Sequence, residues 1–276
     1  MSHDVGVVRA HLGRWRKSAR MRREFEQRKH EHLKFCSVVP AKAPDPTVLA
    51  ELNADGVSVV RGFFDRDTTE SIVDEVIDAA NALVAGHYDG PLRTLAEHET
   101  GLYRIYDIDK SMSFSSRQFF DNAFIAQLAN SMCVPGMHVF DHYLDYKAQV
   151  GGRDANLVHH IDHWKTRFKA FLLLSDVTEE QAPFVFLSGS HREARWRRRW
   201  DWGYETRGPE GAVLSGEHVR SLHRRYRFVE RTITGTAGDL ILANTRGIHR
   251  GNVLQRGTRL QLVSVYVMNG PPTYAS

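Results

Sequence analysis

His160, Ile161 and Asp162 form a His-x-Asp triplet, and His249 follows 87 positions after Asp162 (249 minus 162). Arg259 comes ten residues after His249. Two neutral imidazoles and one carboxylate can hold Fe(II) on one triangular face and leave its other positions open for a co-substrate and dioxygen. A guanidinium fork further along the chain suits a carboxylate, which it binds through two parallel hydrogen bonds.

These side chains need elements that aim them together. On a strand, residues i and i+2 point to one side, so His160 and Asp162 are expected to reach one ion while Ile161 turns away. His249 must then arrive from a strand distant in sequence. His159 and His163 alternate to the other face and read as structural or solvent-facing. A second triplet, His87, Tyr88 and Asp89, lies between Gly86 and Gly90 with no apolar run behind it, and reads as a surface loop. A zinc site is the competing metal reading; a structural zinc favours cysteine and a closed shell, so iron is preferred.

Around the first triplet come an apolar run at 168–177, a segment 182–192 ending in Gly-Ser-His-Arg, a segment 238–252 that carries His249, and a run at 258–267 that carries Arg259. This order resembles the phytanoyl-CoA dioxygenase family of Fe(II)/2-oxoglutarate oxygenases. The resemblance runs from about residue 49 to residue 267, because 52–64 also looks like the family's opening strand and 68–83 like its following helix. It implies that His160, Asp162 and His249 are the catalytic iron ligands and that Arg259 pairs with the distal carboxylate of 2-oxoglutarate. Ser188 stands where proline usually precedes the Gly-Ser-His turn. Gly251 stands where a small hydroxyl residue often helps hold the co-substrate, which leaves Thr166, Asp145 and Lys147 as candidates for the missing contact.

The resemblance also implies a double-stranded β-helix, or jelly roll of cupin type, with Fe(II) as cofactor and 2-oxoglutarate and O2 as co-substrates. Relatives that halogenate have a small residue where the carboxylate ligand would be, and this chain keeps Asp162. The expected activity is therefore a 2-oxoglutarate-dependent dioxygenase that hydroxylates an aliphatic carbon of a small or medium, anionic organic substrate.

Composition bounds this reading. The chain has 276 residues, 42% hydrophobic and 25% charged, which is ordinary for one globular domain with insertions. It shows no run of about 18 apolar residues and no signal-peptide core. Cys36 and Cys133 make no disulfide framework, so a reducing cytoplasm is the expected location. The net charge of +4 is local in origin: residues 1–35 hold ten Lys/Arg against four Asp/Glu, and the remainder 27 against 29.

Two further segments are unusual. Residues 191–202 hold five arginines and three tryptophans between two core runs. The resemblance implies that this inter-strand region lies near the site mouth; arginine recognises anions and tryptophan offers stacking surface, so Arg195, Arg197, Arg198 and Trp202 are expected to bind substrate there. The bland alternative is a charged surface helix that buries its tryptophans. Residues 220–231 are also basic, and alternating exposure on a strand explains most of them. Such segments also support a rival to the enzyme: a catalytically silent jelly-roll protein binding nucleic acid or a protein partner.

Along the chain, 7–33 reads as one or two exposed helices with mixed charge, and 38–46 as a Pro-rich linker. This divides the chain into a basic helical N-terminal extension (1–48) and an oxygenase domain (49–276). Within the domain, the apolar spacing of 68–83 predicts an amphipathic helix packed on a sheet. A mixed stretch of loop and short helix runs to about residue 132. Strands are expected at 138–148, 168–177, 184–187, 229–236, 239–243 and 260–267. Helices early and strands late give an α+β class, mainly β in its core.

Overall fold

The computed structural model describes residues 3–36, 44–111, 114–133 and 136–268. Helix α1 (His3–Cys36) is followed by α2 (Pro46–Ala54), β1 (Val57–Val60) and α3 (Arg66–Val84). Strands β2 (Thr94–Glu97) and β3 (Leu102–Tyr106) precede α4 (Phe114–Phe120) and α5 (Ala123–Met132). Then come β4 (Met137–Lys147), β5 (His159–His160), β6 (Arg167–Leu173), β7 (Phe184–Ser188), α6 (Arg197–Arg207), β8 (Val213–Leu214) and α7 (Gly216–Tyr226). Strands β9 (Val229–Ile233), β10 (Leu240–Asn244), β11 (His249–Arg250) and β12 (Arg259–Met268) complete the described chain.

Two antiparallel sheets face each other. The larger runs in the order β1-β10-β6-β12-β4-β3-β2, the smaller β8-β5-β11-β7-β9. Residues that alternate along β6 and β12 show why two cores form. Phe168, Ala170, Leu172, Leu260 and Leu262 face the helices, where Ile72, Val76, Ala80 and Leu83 of α3 bury the apolar stripe seen in the sequence. Each large aliphatic on that stripe contributes about 1.5–3 kcal/mol of burial. Phe171, Leu173, Val263 and Val265 face the other way, into the space between the sheets, with Ile241, Ala243 and Phe186. The site occupies one end of that inner space.

Helix α3 starts where its cap dictates: Asp65 accepts from the Thr68 N–H at 2.8 Å. His87 and Asp89 of the second triplet are exposed just beyond its end, as a surface loop would be. The expected linker over 38–46 falls largely on residues 37–43, outside the described residues. At its end Asp45 is extended and caps α2, accepting from the N–H groups of Thr47 and Val48, and Pro46 opens the helix.

The stretch expected as loop and short helix up to residue 132 also contains the β2–β3 hairpin. Arg104 interrupts the apolar pattern of β3, and the strand is recognisable only once paired with β4. Helix α1 is one continuous helix, and its second half is not wholly exposed. Phe25 is fully buried against Trp164 and Trp202, and Lys29 and His32 are also buried. Among the described residues, no helix is long and apolar enough to cross a membrane.

Candidate metal centre

Three expected ligands converge. Strand β11 pairs with β5 so that His249 lies directly opposite His160, with ring centroids 4.3 Å apart. Asp162 lies beyond the end of β5, so strand alternation does not aim it. Its backbone N–H is held by the Thr245 carbonyl at 3.0 Å, which turns the side chain to the same spot. Ile161 does turn away, into the cluster formed by Leu187, Trp196 and Leu214. The Asp162 Oδ1 atom is 3.8 Å from His160 Nε2 and 3.5 Å from His249 Nε2. One ligand atom from each of the three residues falls within 4.8 Å of the others, and this is the one such group found among the described residues.

The chemistry of these donors fits a divalent metal. His160 Nδ1 is 2.7 Å from the Val158 carbonyl and His249 Nδ1 is 2.9 Å from the Gly247 carbonyl. A carbonyl only accepts, so both rings donate from Nδ1 and keep an Nε2 lone pair turned toward Asp162. Burial, reinforced by His249, pushes His160 down to about 4, so it is neutral near pH 7. Burial alone would raise the Asp162 carboxyl. The Lys169 ammonium, 2.8 Å from Oδ2, outweighs it and holds the group well below the usual carboxylate range.

A cavity of about 200 Å³ opens from the triad. Arg259 and its strand neighbour Lys147 lie at its wall, in register on β12 and β4. Asp145 lies between cations: its Oδ1 accepts from Arg259 at 2.6 Å and from Gln261 at 3.2 Å, and its Oδ2 from Arg104 at 2.8 Å. Burial opposes ionisation of Asp145, but Arg104 and Arg259 hold the carboxyl far below its ordinary value. Lys147 pairs with Asp154 at 2.7 Å. Gly251 also lines the cavity.

Other expected contacts are elsewhere. Thr166 is buried beneath α1, where its N–H donates to His32 Nε2 at 2.9 Å, and it lines a different cavity. Arg195, Arg197, Arg198 and Trp202 are absent from the wall of the triad's cavity. The reason is the direction in which α6 packs. Arg197 is fully buried, and its guanidinium donates to the Ser190 and Arg246 carbonyls and to Asp201. Arg198 shares a surface groove with Arg22 and Arg23 of α1, and Trp202 packs on Phe25. Arg195 is exposed. Tyr204 of α6 instead packs its ring 4.4 Å from that of His163, the residue after Asp162.

Sequence reasoning did not single out Lys169, Arg104, Tyr143 or Gln261, all of which line the cavity. A signal existed for the first two, because a lone cation within an apolar strand run is costly to bury without a partner.

No family model and no curated protein matches the sequence. Solved structures do. The non-haem α-ketoglutarate-dependent epimerase SnoN from nogalamycin biosynthesis is 19% identical, with a TM-score of 0.59 over 84% of this chain and 89% of that one. EctD from S. alaskensis with bound Fe is 19% identical, with a TM-score of 0.62 over 84% and 80%. AviO1 from Streptomyces viridochromogenes Tue57 is 16% identical, with a TM-score of 0.59 over 84% and 99%. The chain thus has the jelly-roll fold of these proteins, buttressed by helices.

Proposed function

We propose that this chain is an Fe(II)- and 2-oxoglutarate-dependent oxygenase of the phytanoyl-CoA dioxygenase type, hydroxylating an aliphatic carbon of a small or medium anionic molecule. The observation that carries the reading is the convergence of His160, Asp162 and His249 on one point in the wall of a cavity that Arg259 also lines. His160 Nε2, His249 Nε2 and Asp162 Oδ1 would hold the metal. When bound, iron with 2-oxoglutarate and dioxygen supplies the oxidising power to remove hydrogen from an unactivated carbon.

The residues of the chain do the binding and orientation. Val158 and Gly247 carbonyls fix the imidazole tautomers. Arg259 and Arg104, both anchored on Asp145, offer cationic donors for the distal carboxylate of the co-substrate. Phe171, Phe184 and Tyr143 add apolar surface to the same cavity.

Charge supports an anionic substrate. Four cations line the cavity, Arg104, Lys147, Lys169 and Arg259, against the carboxylates Asp145 and Asp162; Asp154 offsets Lys147 from behind. Fe(II) and a 2-oxoglutarate dianion cancel, so a positive excess remains for the substrate. The structural neighbours include an epimerase and a carbocyclase, so the same metal chemistry serves several outcomes on this fold.

The test is an anaerobic titration with Fe(II) and then 2-oxoglutarate. One metal per chain and a visible metal-to-co-substrate absorption band are expected, followed by succinate release when oxygen and a panel of organic acids are added. Absence of the band in iron-loaded protein would overturn the reading in favour of a binding protein.

A further inference from the structure

Strand β6 begins with Arg167 and is otherwise apolar except for Lys169, which lies between the fully buried Phe168 and Ala170. Those neighbours face the helices, so alternation sends Lys169 into the space between the sheets. The residue is central in the larger sheet, in register with Ala243 on one side and Val265 on the other, which fixes where its side chain starts. An ammonium in such a place costs several kcal/mol unless it is paired.

Its partner is Asp162, with Lys169 Nζ 2.8 Å from Oδ2. The other cavity cations use other carboxylates: Arg104 and Arg259 share Asp145, and Lys147 takes Asp154. The two oxygens of Asp162 are thereby divided. Oδ2 belongs to Lys169, and Oδ1 is the atom within 3.8 Å of His160 Nε2 and 3.5 Å of His249 Nε2. We propose that Lys169 is a positioning residue of the metal centre: by holding Asp162 Oδ2 it presents a single oxygen to the metal and keeps a coordination position open for the co-substrate.

The physical argument concerns denticity. A carboxylate next to a divalent ion binds through one oxygen or both. Binding through both fills a position that a chelating 2-oxo acid needs. Partners outside the ligand set orient ligands and tune the metal, and their loss typically changes affinity 10–100-fold. Lys169 does this with a charge, which also offsets the negative charge that Asp162 brings to the metal. The inference rests on the iron-centre reading proposed above.

The experiment compares wild-type protein with Lys169→Met and Lys169→Gln, using Co(II) as an optical probe and Fe(II) for co-substrate binding under anaerobic conditions. Lys169→Gln keeps a polar head without charge and carries the same test if Lys169→Met fails to fold. Both variants are expected to retain one metal per chain. Their Co(II) visible bands should weaken, as they do when coordination number rises, and the Kd for 2-oxoglutarate on the iron form should rise about tenfold or more. Wild-type bands together with wild-type 2-oxoglutarate affinity would remove the role of Lys169. Complete loss of metal uptake in both variants would also overturn it, because a positioning residue leaves the ligands in place. Failure of the wild-type chain to take up either metal would sink the metal centre itself, and the Lys169 role with it.

Discussion

Arg246 Nε donates to the Trp164 carbonyl at 2.8 Å, and this bond ties together the two arms of the triad. Trp164 lies two residues beyond Asp162, and Arg246 lies three before His249. The same guanidinium donates to the His191 carbonyl and to Glu193, each at 2.6 Å. Lys29 of α1 joins the cluster through Asp201 at 2.6 Å and Glu193 at 2.8 Å. The first helix thus shares a buried ionic network with the turn that delivers a candidate ligand.

Arg259→Leu should raise the 2-oxoglutarate Kd by an amount corresponding to about 2–5 kcal/mol, the cost of stripping one member from a buried charge pair. Asp145 couples Arg259 to Arg104, so Asp145→Asn and Arg259→Leu should be non-additive by about 0.5–3 kcal/mol in a double-mutant cycle. Titration of each variant with 2-oxoglutarate measures this. A larger loss in Arg104→Leu than in Arg259→Leu would move the distal carboxylate to Arg104, and wild-type affinity in both would reject the pair.

Gly247 is required where it stands. A Cβ there would lie 2.3 Å from Phe186 Cζ, and the Gly247 carbonyl fixes the His249 tautomer. Gly247→Ala should destabilise the fold by about 1–3 kcal/mol and weaken Fe(II) binding together with it. At Gly251 the atom nearest to an added Cβ would be 3.6 Å away, an ordinary contact, so Gly251→Ala should melt like wild type. Equal melting temperatures for all three proteins would refute the packing argument.

Helix α1 should matter through its buried face rather than through the exposed charges it shares with α6. Phe25→Ala is expected to cost about 3–5 kcal/mol in urea denaturation, since the ring is fully buried between Trp164 and Trp202. Arg198→Ala and Arg199→Ala, both exposed, should stay within about 0.5 kcal/mol of wild type. They should also leave substrate KM unchanged; a raised KM would return α6 arginines to substrate binding.

The candidate ligand types and their spacing, the amphipathic α3, and most strands of the two sheets were legible in the sequence, because alternation and helical period record which face of each element is buried. The resemblance also carried Arg259 to the cavity wall. What those faces are buried against emerged only when the elements packed together. Thr166 and the arginines of α6 looked available from their types, yet their directions depend on where α1 and α6 pack, which no local period encodes. Lys169 and Arg104 were the converse: a lone cation in an apolar strand marks a need for a partner, but Asp162 and Asp145 are named only when distant segments meet. The Arg246 clamp spans 82 positions to Trp164 and 55 to His191, and hydrogen bonds to backbone carbonyls leave no residue-type signature at their acceptor ends.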